Sequence, residues 1–159
     1  MSDQEALAAH GITTEMGLAE GIPEHEALAK FFALHARADM RVAHNEAFDQ
    51  RILRIAIKRY GDGAPGYADY TQEHKDVIAD AFKSSPAYCT CNATKPILQL
   101  PATDKMKKTG FGRGFKAPKL SEAYKHLFGV ELEGAHRAHV DVAACAKVYF
   151  ELNPVQATA

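Results

Sequence analysis

The sequence predicts a single α/β domain that is mostly helical and has a reduced sheet. Three observations favour this fold class. Apolar residues recur at helical spacing over most of the chain, two short apolar segments are typical of buried strands, and these segments alternate with the helical ones. Such alternation indicates an α/β layer, although two strands are too few to form a stable sheet alone. We therefore expect one domain over residues 1–159 in which part of the sheet is absent.

The first half of the chain predicts a strand between two helices. Apolar residues recur at helical spacing over residues 24–37, after a proline that suits a first helical turn. Residues 40–44 fit a short buried strand. Asn45 can cap the next helix, which we expect to end at Gly61. The apolar stripe predicted on this helix consists of Phe48, Ile52, Ile55 and Ala56.

The second half continues the alternation. Residues 61–72 are rich in Gly, Pro, Asp and Tyr and predict a loop, and residues 73–83 predict a helix that ends before Pro86. Residues 87–91 are the second strand candidate. Further helices are expected over residues 121–128 and 137–151.

Composition indicates a soluble, cytoplasmic protein. The hydrophobic fraction of 47% and the charged fraction of 25% are typical of a globular domain. No apolar run approaches the length of a membrane span, and the N-terminus lacks the pattern of a signal peptide. The chain has 3 cysteines (Cys89, Cys91 and Cys145), an odd number that favours reduced thiols. A zinc site at Cys89 and Cys91 is the less favoured alternative, because Cys-x-Cys lacks the usual ligand spacing.

One segment is strongly basic. Residues 105–121 contain six Lys or Arg residues and no Asp or Glu, and three glycines are interleaved there with Phe111 and Phe115. A cationic, glycine-rich loop with aromatic rings suits a nucleic-acid backbone and its bases. A solvated surface loop is the alternative interpretation. The candidate nucleic-acid contacts in this segment are Lys105, Lys107, Lys108, Arg113 and Lys116.

The first candidate site motif is His44-Asn45-x-x-Phe48-Asp49, at the end of the first predicted strand. Asp49 lies one turn into the following helix, so its carboxylate faces out above the carboxyl end of the strand, where ligands bind in α/β sheets. Phe48 can form an apolar wall beside it. Alternatively, His44 and Asn45 only orient the strand–helix junction, and Asp49 is a surface acid of the helix.

The second candidate motif places His136 five residues before Asp141. Asp141 falls in the first turns of the last predicted helix, and His136 lies in the loop before that helix. Carboxylates bind hard cations through oxygen, and an imidazole can accept a proton from an attacking water. Taken singly, His136 and His139 would be interpreted as ordinary surface histidines, and Asp141 as an acid that favours the start of a helix. Together, the two motifs predict carboxylates and an imidazole around divalent metal, which is the chemistry of phosphodiester hydrolysis.

These motifs resemble those of the DnaQ-like, DEDDh-type 3′–5′ exonucleases, which include the proofreading subunits of bacterial replicative DNA polymerases. His10-Gly11-Ile12-Thr13 looks like the family's His-Gly-Ile-Thr turn. His44-Asn45-x-x-Phe48-Asp49 is similar to its second motif, and His136-x-Ala138-x-x-Asp141 is similar to its third. Residues 118–129 resemble the helix before the third motif in phage members. The resemblance covers nearly the whole chain.

The resemblance implies a ribonuclease-H-like fold and release of nucleotides from a nucleic-acid 3′ end with two Mg²⁺ or Mn²⁺ ions. It implies that His136 is the general base, Asp141 a direct metal ligand and Asp49 a supporting ligand. His44, Asn45 and Phe48 would contact nucleic acid. The implied partners are a single-stranded DNA or RNA 3′ end, a polymerase and a complementing chain.

The family's first motif, Asp-x-Glu on a buried strand, is the one departure. Asp3-Gln4-Glu5 matches it in residue type only, because no apolar strand precedes it. We therefore expect the chain to be truncated relative to the family and to lack its N-terminal antiparallel strands. Such a loss leaves a strand edge open to self-association or to a complementing chain, and it makes hydrolysis depend on a complementing segment. The alternative function is a catalytically inactive module that binds nucleic acid or protein.

Overall fold

The computed structural model describes residues 3–154, apart from the side chains of Asp3, Glu5, Ala6 and Ala9. These residues form nine α-helices and two short strands, and a 3₁₀ turn (Tyr67–Asp69) lies in the loop predicted over residues 61–72. In chain order the elements are α1 (Asp3–His10), α2 (Thr14–Glu20), α3 (Glu24–His35), β1 (Arg41–Ala43), α4 (Glu46–Tyr60), α5 (Gln72–Ser84), β2 (Ala87–Cys89), α6 (Thr90–Leu98), α7 (Asp104–Lys108), α8 (Leu120–Phe128) and α9 (Ala138–Leu152). The fold is therefore a reduced α/β fold, mostly helical, with β1 and β2 in a small parallel sheet.

None of the helices within residues 3–154 combines the length and the apolar character that a membrane crossing requires.

The predicted helices and strands are confirmed over most of the chain. The predicted strand at 40–44 is β1, and the helices predicted over 24–37, 73–83, 121–128 and 137–151 are α3, α5, α8 and α9. Two boundaries differ. Thr90 and Cys91 begin α6 instead of continuing the second strand. The basic segment begins with α7 instead of a loop, because the Thr103 hydroxyl accepts a hydrogen bond from the Met106 N–H (3.3 Å) and caps the helix.

The chain folds into two compact units. The first contains the residues up to Arg41 together with Ala47–Pro86, and the second contains Val42–Glu46 and the residues from Ala87 onward. The sequence predicts a single domain over residues 1–159, and whether the two units together form that domain stays a prediction.

The core of the first unit lies between α3, α4 and α5. Its buried side chains are Leu28, Ala56, Ile57, Ala79 and Phe82. Of the apolar stripe predicted on α4, only Ala56 is buried, whereas Phe48, Ile52 and Ile55 are 49, 48 and 45% exposed. The helix therefore packs through a face that is rotated relative to the predicted stripe.

Gly63 brings the loop after α4 against the backbone of α3. Its φ of +74° is left-handed, and a Cβ at this position would lie 2.2 Å from the carbonyl oxygen of His25 and 2.8 Å from the backbone nitrogen of Ala29. Both atoms belong to a helix backbone and cannot shift without disturbing α3. Only glycine fits at this position.

We expect Gly63→Ala to lower the free energy of unfolding by about 2–4 kcal/mol, because it adds a backbone clash to an unfavourable φ. Gly110→Ala is the matched control: Gly110 has a φ of +83° and no atom within 4 Å of the added Cβ. That variant should lose only about 1 kcal/mol, from the backbone conformation alone. Urea unfolding followed by circular dichroism measures both losses, and equal losses would contradict the close approach at Gly63.

The second unit is built on α6, α8 and α9, which pack against one another. Its buried side chains are Thr90, Cys91, Thr94, Pro118, Ala123, Ala144, Cys145 and Val148. The hydroxyl of Thr94 donates to the carbonyl of Thr90 (2.7 Å), so this buried hydroxyl is satisfied within α6. Lys147 joins α9 to α8, because its Nζ lies 4.2 Å from the centroid of the Phe128 ring and donates to the Tyr124 hydroxyl (3.1 Å).

Candidate functional site

His44 lies at the carboxyl end of β1 with hydrogen bonds at both ring nitrogens. Nε2 donates to the carbonyl of Pro118 (3.0 Å), and Nδ1 lies 2.9 Å from the hydroxyl of Thr90. Burial lowers the pKa of His44, and the hydrogen bond to Pro118 only partly opposes this effect. The neutral ring is therefore favoured, and its Nδ1 accepts the Thr90 proton.

Thr90 extends this contact into the core of the second unit. Its Oγ1 lies 3.6 Å from Cys145 Sγ and 3.3 Å from the carbonyl of Ala43. His44 thus ties the end of β1 to the start of α6 and to the segment before α8. This geometry supports the interpretation in which His44 orients the strand–helix junction. Its predicted contact with nucleic acid stays a prediction.

His44 should make the stability of the protein depend on pH. Its folded-state pKa is lower than the ordinary value of 6.5. As the pH falls below 6.5, the unfolded chain takes up a proton that the folded chain does not. The free energy of unfolding therefore falls until the pH reaches the folded-state pKa, and below that pKa this contribution stays lost.

We expect His44→Gln to flatten the melting temperature as a function of pH between about 5 and 7, because it removes this proton uptake. His139→Gln, which removes an exposed histidine of the same unit, is the control and should leave the slope unchanged. An identical slope in His44→Gln and the unmodified chain would contradict the neutral, half-buried ring.

Asn45, Phe48 and Asp49 lie around the start of α4. Asn45 has a left-handed φ of 70°, a conformation that asparagine tolerates better than most residues. Asp49 is exposed, and the ring of Phe48 is 49% exposed. The Arg51 guanidinium lies 5.5 Å from the centroid of that ring. Arg51 is not among the predicted site residues, although residues three apart on a helix are neighbours and its contact with Phe48 could be predicted from this spacing.

His136 and Asp141 lie together at the start of α9, in the second unit. The backbone N–H of His136 donates to Asp141 Oδ1 (3.2 Å), and this bond holds the loop onto the first turn of the helix. His136 has a left-handed φ of 73° and an exposed side chain, whereas Asp141 is half-buried. A left-handed conformation costs a non-glycine residue about 1–2 kcal/mol, and strained residues of this kind cluster at functional sites.

Asp49 and the His136–Asp141 pair belong to different units. Among the side chains that the structure describes, no group of three or more His, Cys, Asp or Glu is arranged to hold a metal ion. Mg²⁺ demands near-octahedral oxygen coordination, so the described residues alone do not fit the two ions that the resemblance implies. The metal ligands Asp49 and Asp141 stay predictions. Asp3 and Glu5 are part of α1, and their side chains lie outside the described residues.

The His-Gly-Ile-Thr turn has a clear local role between α1 and α2. The N–H of Gly11, which has a φ of 71°, donates to the carbonyl of Leu7 (2.8 Å) and ends α1. His10 Nδ1 accepts the N–H of Ile12 (3.0 Å), and the Thr13 hydroxyl accepts the N–H of Met16 (3.2 Å) and caps α2. The His-Gly-Ile-Thr segment therefore forms the turn that ends α1 and begins α2.

The basic segment divides into paired and unpaired cations. Lys116 Nζ lies 2.5 Å from Glu122 Oε1 in a half-buried ion pair, and Lys107 Nζ lies 3.3 Å from Asp104 Oδ1. The other three predicted contacts, Lys105, Lys108 and Arg113, are exposed and have no acidic partner among the described residues. Lys116 therefore stabilises the fold through its ion pair with Glu122. The unpaired cations lie on α7 and in the loop that follows it.

Searches against protein-family models, curated proteins and solved structures find no match to this chain. Its function is therefore argued from the geometry of the described residues and from the motifs in its sequence.

Proposed function

We propose that the chain is a 3′–5′ exonuclease-type domain of reduced ribonuclease-H-like fold, which hydrolyses phosphodiester bonds at a nucleic-acid 3′ end. The observation that carries the proposal is the contact between the His136 loop and Asp141. The contact joins the backbone of His136 to the Asp141 carboxylate at the start of α9, and this proximity supports a shared role for the two residues.

His136 is the proposed general base. Histidine is the side chain that changes charge near neutral pH, so a neutral imidazole can take the proton of an attacking water. The ring of His136 is exposed, and its left-handed backbone has no evident role in packing a core. The hydrogen bond from its backbone N–H to Asp141 Oδ1 (3.2 Å) holds the loop next to the carboxylate.

Asp141 is the proposed metal-binding carboxylate. Its Oδ1 accepts the His136 N–H, and its side chain is half-buried at the helix start, so its position is well defined. A bound Mg²⁺ or Mn²⁺ pair supplies charge stabilisation to the reacting phosphate in this kind of centre. Because the described residues do not complete such a site, we propose that the chain alone retains slow, Mn²⁺-dependent release and that full activity needs further carboxylates from a complementing chain. Each strand of the two-stranded sheet has one edge without a neighbouring strand among the described residues, and such an edge suits strand addition.

Digestion of a 3′-labelled single strand tests this proposal. The chain should release labelled nucleotides when Mn²⁺ is added and should stop when the metal is chelated. DNA and RNA strands are compared in parallel, and a 5′-labelled strand reports the polarity. Failure to release label from either strand at any Mn²⁺ concentration would contradict hydrolysis by this chain.

The second candidate function is a catalytically inactive module that binds nucleic acid. Two observations favour it: Asp141 serves as a cap for the His136 loop, and both ring nitrogens of His44 are bound within the protein. Salt-sensitive binding of single strands without nucleotide release would support this function over the first.

A further inference from the structure

The segment 104–116 has a fixed backbone. The N–H of Thr109 donates to the carbonyl of Lys105 (3.1 Å), and the N–H of Phe111 donates to the carbonyl of Met106 (2.9 Å). With Gly110 at a φ of +83°, the bond from Phe111 to Met106 has the 6→1 pattern of a Schellman motif and ends α7. Such a motif usually brings its final residue back against the helix, but Phe111 instead projects into solvent.

The loop after α7 folds back onto that helix and is anchored where it ends. A Cβ on Gly112 would lie 3.1 Å from the Cα of Lys107, so the loop touches the helix backbone there. The N–H of Lys116 donates to the carbonyl of Leu100 (2.9 Å), and its Nζ pairs with Glu122. The residues between these anchors are therefore held in one arrangement.

Two aromatic rings are exposed on this anchored segment. Phe111 is 71% exposed and Phe115 is 39% exposed. An exposed ring lacks the stabilisation that burial of its apolar area would bring. Because its backbone is already ordered, binding a ligand to its flat face costs little further conformational entropy. Such rings suit the stacking of unpaired bases.

The charge around these rings fits a polyanion. Lys105, Lys108 and Arg113 are exposed without an acidic partner among the described residues, and no Asp or Glu occurs between residues 105 and 121. Phosphates and bases alternate along a single strand, as cations and rings do along this segment. A basic segment can also bind an anionic membrane surface, but the alternation of rings with cations matches the bases and phosphates of a single strand better.

We propose that residues 104–116 form a binding site for single-stranded nucleic acid, in which Phe111 and Phe115 stack on bases and Lys105, Lys108 and Arg113 contact phosphates. The site needs neither metal nor hydrolysis, so it goes beyond the proposed exonuclease function. Lys107 and Lys116 support the segment through their contacts and are not part of the phosphate-binding set.

Fluorescence anisotropy of labelled oligo-dT and oligo-U, measured in EDTA, tests the rings. Phe111→Ala should weaken binding roughly 5- to 100-fold, and Phe115→Ala should weaken it less, because that ring is more covered. Phe150→Ala is the matched control, since Phe150 is a 57% exposed ring of the same unit. Equal affinity of Phe111→Ala and the unmodified chain, or equal losses in Phe111→Ala and Phe150→Ala, would overturn the proposal.

The salt dependence of binding tests the cations. Neutralising all three should reduce the slope of log affinity against log salt by about 2, since each phosphate contact on a single strand contributes about 0.7. The variant is Lys105→Gln/Lys108→Gln/Arg113→Gln, and its charge-matched control is Lys30→Gln/Arg37→Gln/Lys83→Gln. An unchanged slope, or capture by anionic vesicles but not by oligonucleotides, would refute the site.

These experiments separate the binding site from the proposed hydrolysis. His136→Ala should bind oligonucleotides in EDTA as the unmodified chain does, whereas Phe111→Ala should lose binding. If the unmodified chain bound oligonucleotides but released no nucleotides, only the exonuclease function would be contradicted. If Phe111→Ala bound them as tightly as the unmodified chain does, only this site would be contradicted.

Discussion

His136→Ala should lower the rate of 3′-nucleotide release by about 10²–10⁴-fold, the range that a positioned general base contributes. The loss should appear in kcat, because the ring is proposed to act on the attacking water and not on the bound strand. Release of label from a 3′-labelled strand in Mn²⁺ measures it. His139→Ala is the matched control: His139 is an exposed histidine in the first turn of α9 and should retain the full rate.

The left-handed backbone of His136 requires a second variant. Alanine at a φ of 73° keeps the strain of this position, whereas glycine adopts the conformation freely. His136→Gly should therefore lose release as fully as His136→Ala while being at least as stable. If His136→Gly kept the activity that His136→Ala loses, the loop conformation and not the imidazole would be the requirement, and the assignment of a general base would be wrong.

The sequence predicts the larger helices well because their signals are local. Periodic apolar residues indicate α3, α8 and α9 without reference to the rest of the chain, and the proline before α3 and the glycine after α8 mark two of their ends. The boundary between β2 and α6 is harder to predict, because Thr90 and Cys91 suit a strand as much as a helix. The hydroxyl of Thr90 is held by His44, which is 46 residues away. A contact of this kind overrides local propensity and cannot be found by periodicity.

The candidate site shows the same division between local and distant information. The contact of the His136 N–H with Asp141 spans five residues, so it is of the local kind that a sequence motif can indicate. The role of His44 depends on Pro118, 74 residues away, and the sequence alone left its two interpretations open. Asp49 belongs to a motif at a helix start whose relation to the other motif depends on tertiary structure. The resemblance suggests that Asp49 lies near His136 and Asp141, but the spacing of these residues in the sequence cannot predict it.

The face that α4 buries is the clearest difference between expectation and structure. The helix contains more apolar residues than one face needs, so periodicity alone permits two stripes that are rotated relative to each other. The structure selects the stripe with Ala56 and Ile57, which pack against Leu28 and Phe82. Ile55 and Ile52 are left about half exposed.

Ile57→Ala should therefore lower the free energy of unfolding by about 2–5 kcal/mol, because it removes buried methyl groups and leaves a cavity in the first unit. The side chain of Ile57 is 0% exposed, whereas that of Ile55, two residues earlier on the same helix, is 45% exposed. Ile55→Ala should cost no more than about 1 kcal/mol, since nearly half of its area is already in water and its removal leaves no enclosed cavity. Chemical denaturation of the two variants compares the same substitution on two sides of one helix. If Ile55→Ala were the more destabilising, α4 would bury the predicted stripe after all, and the core described for the first unit would be wrong.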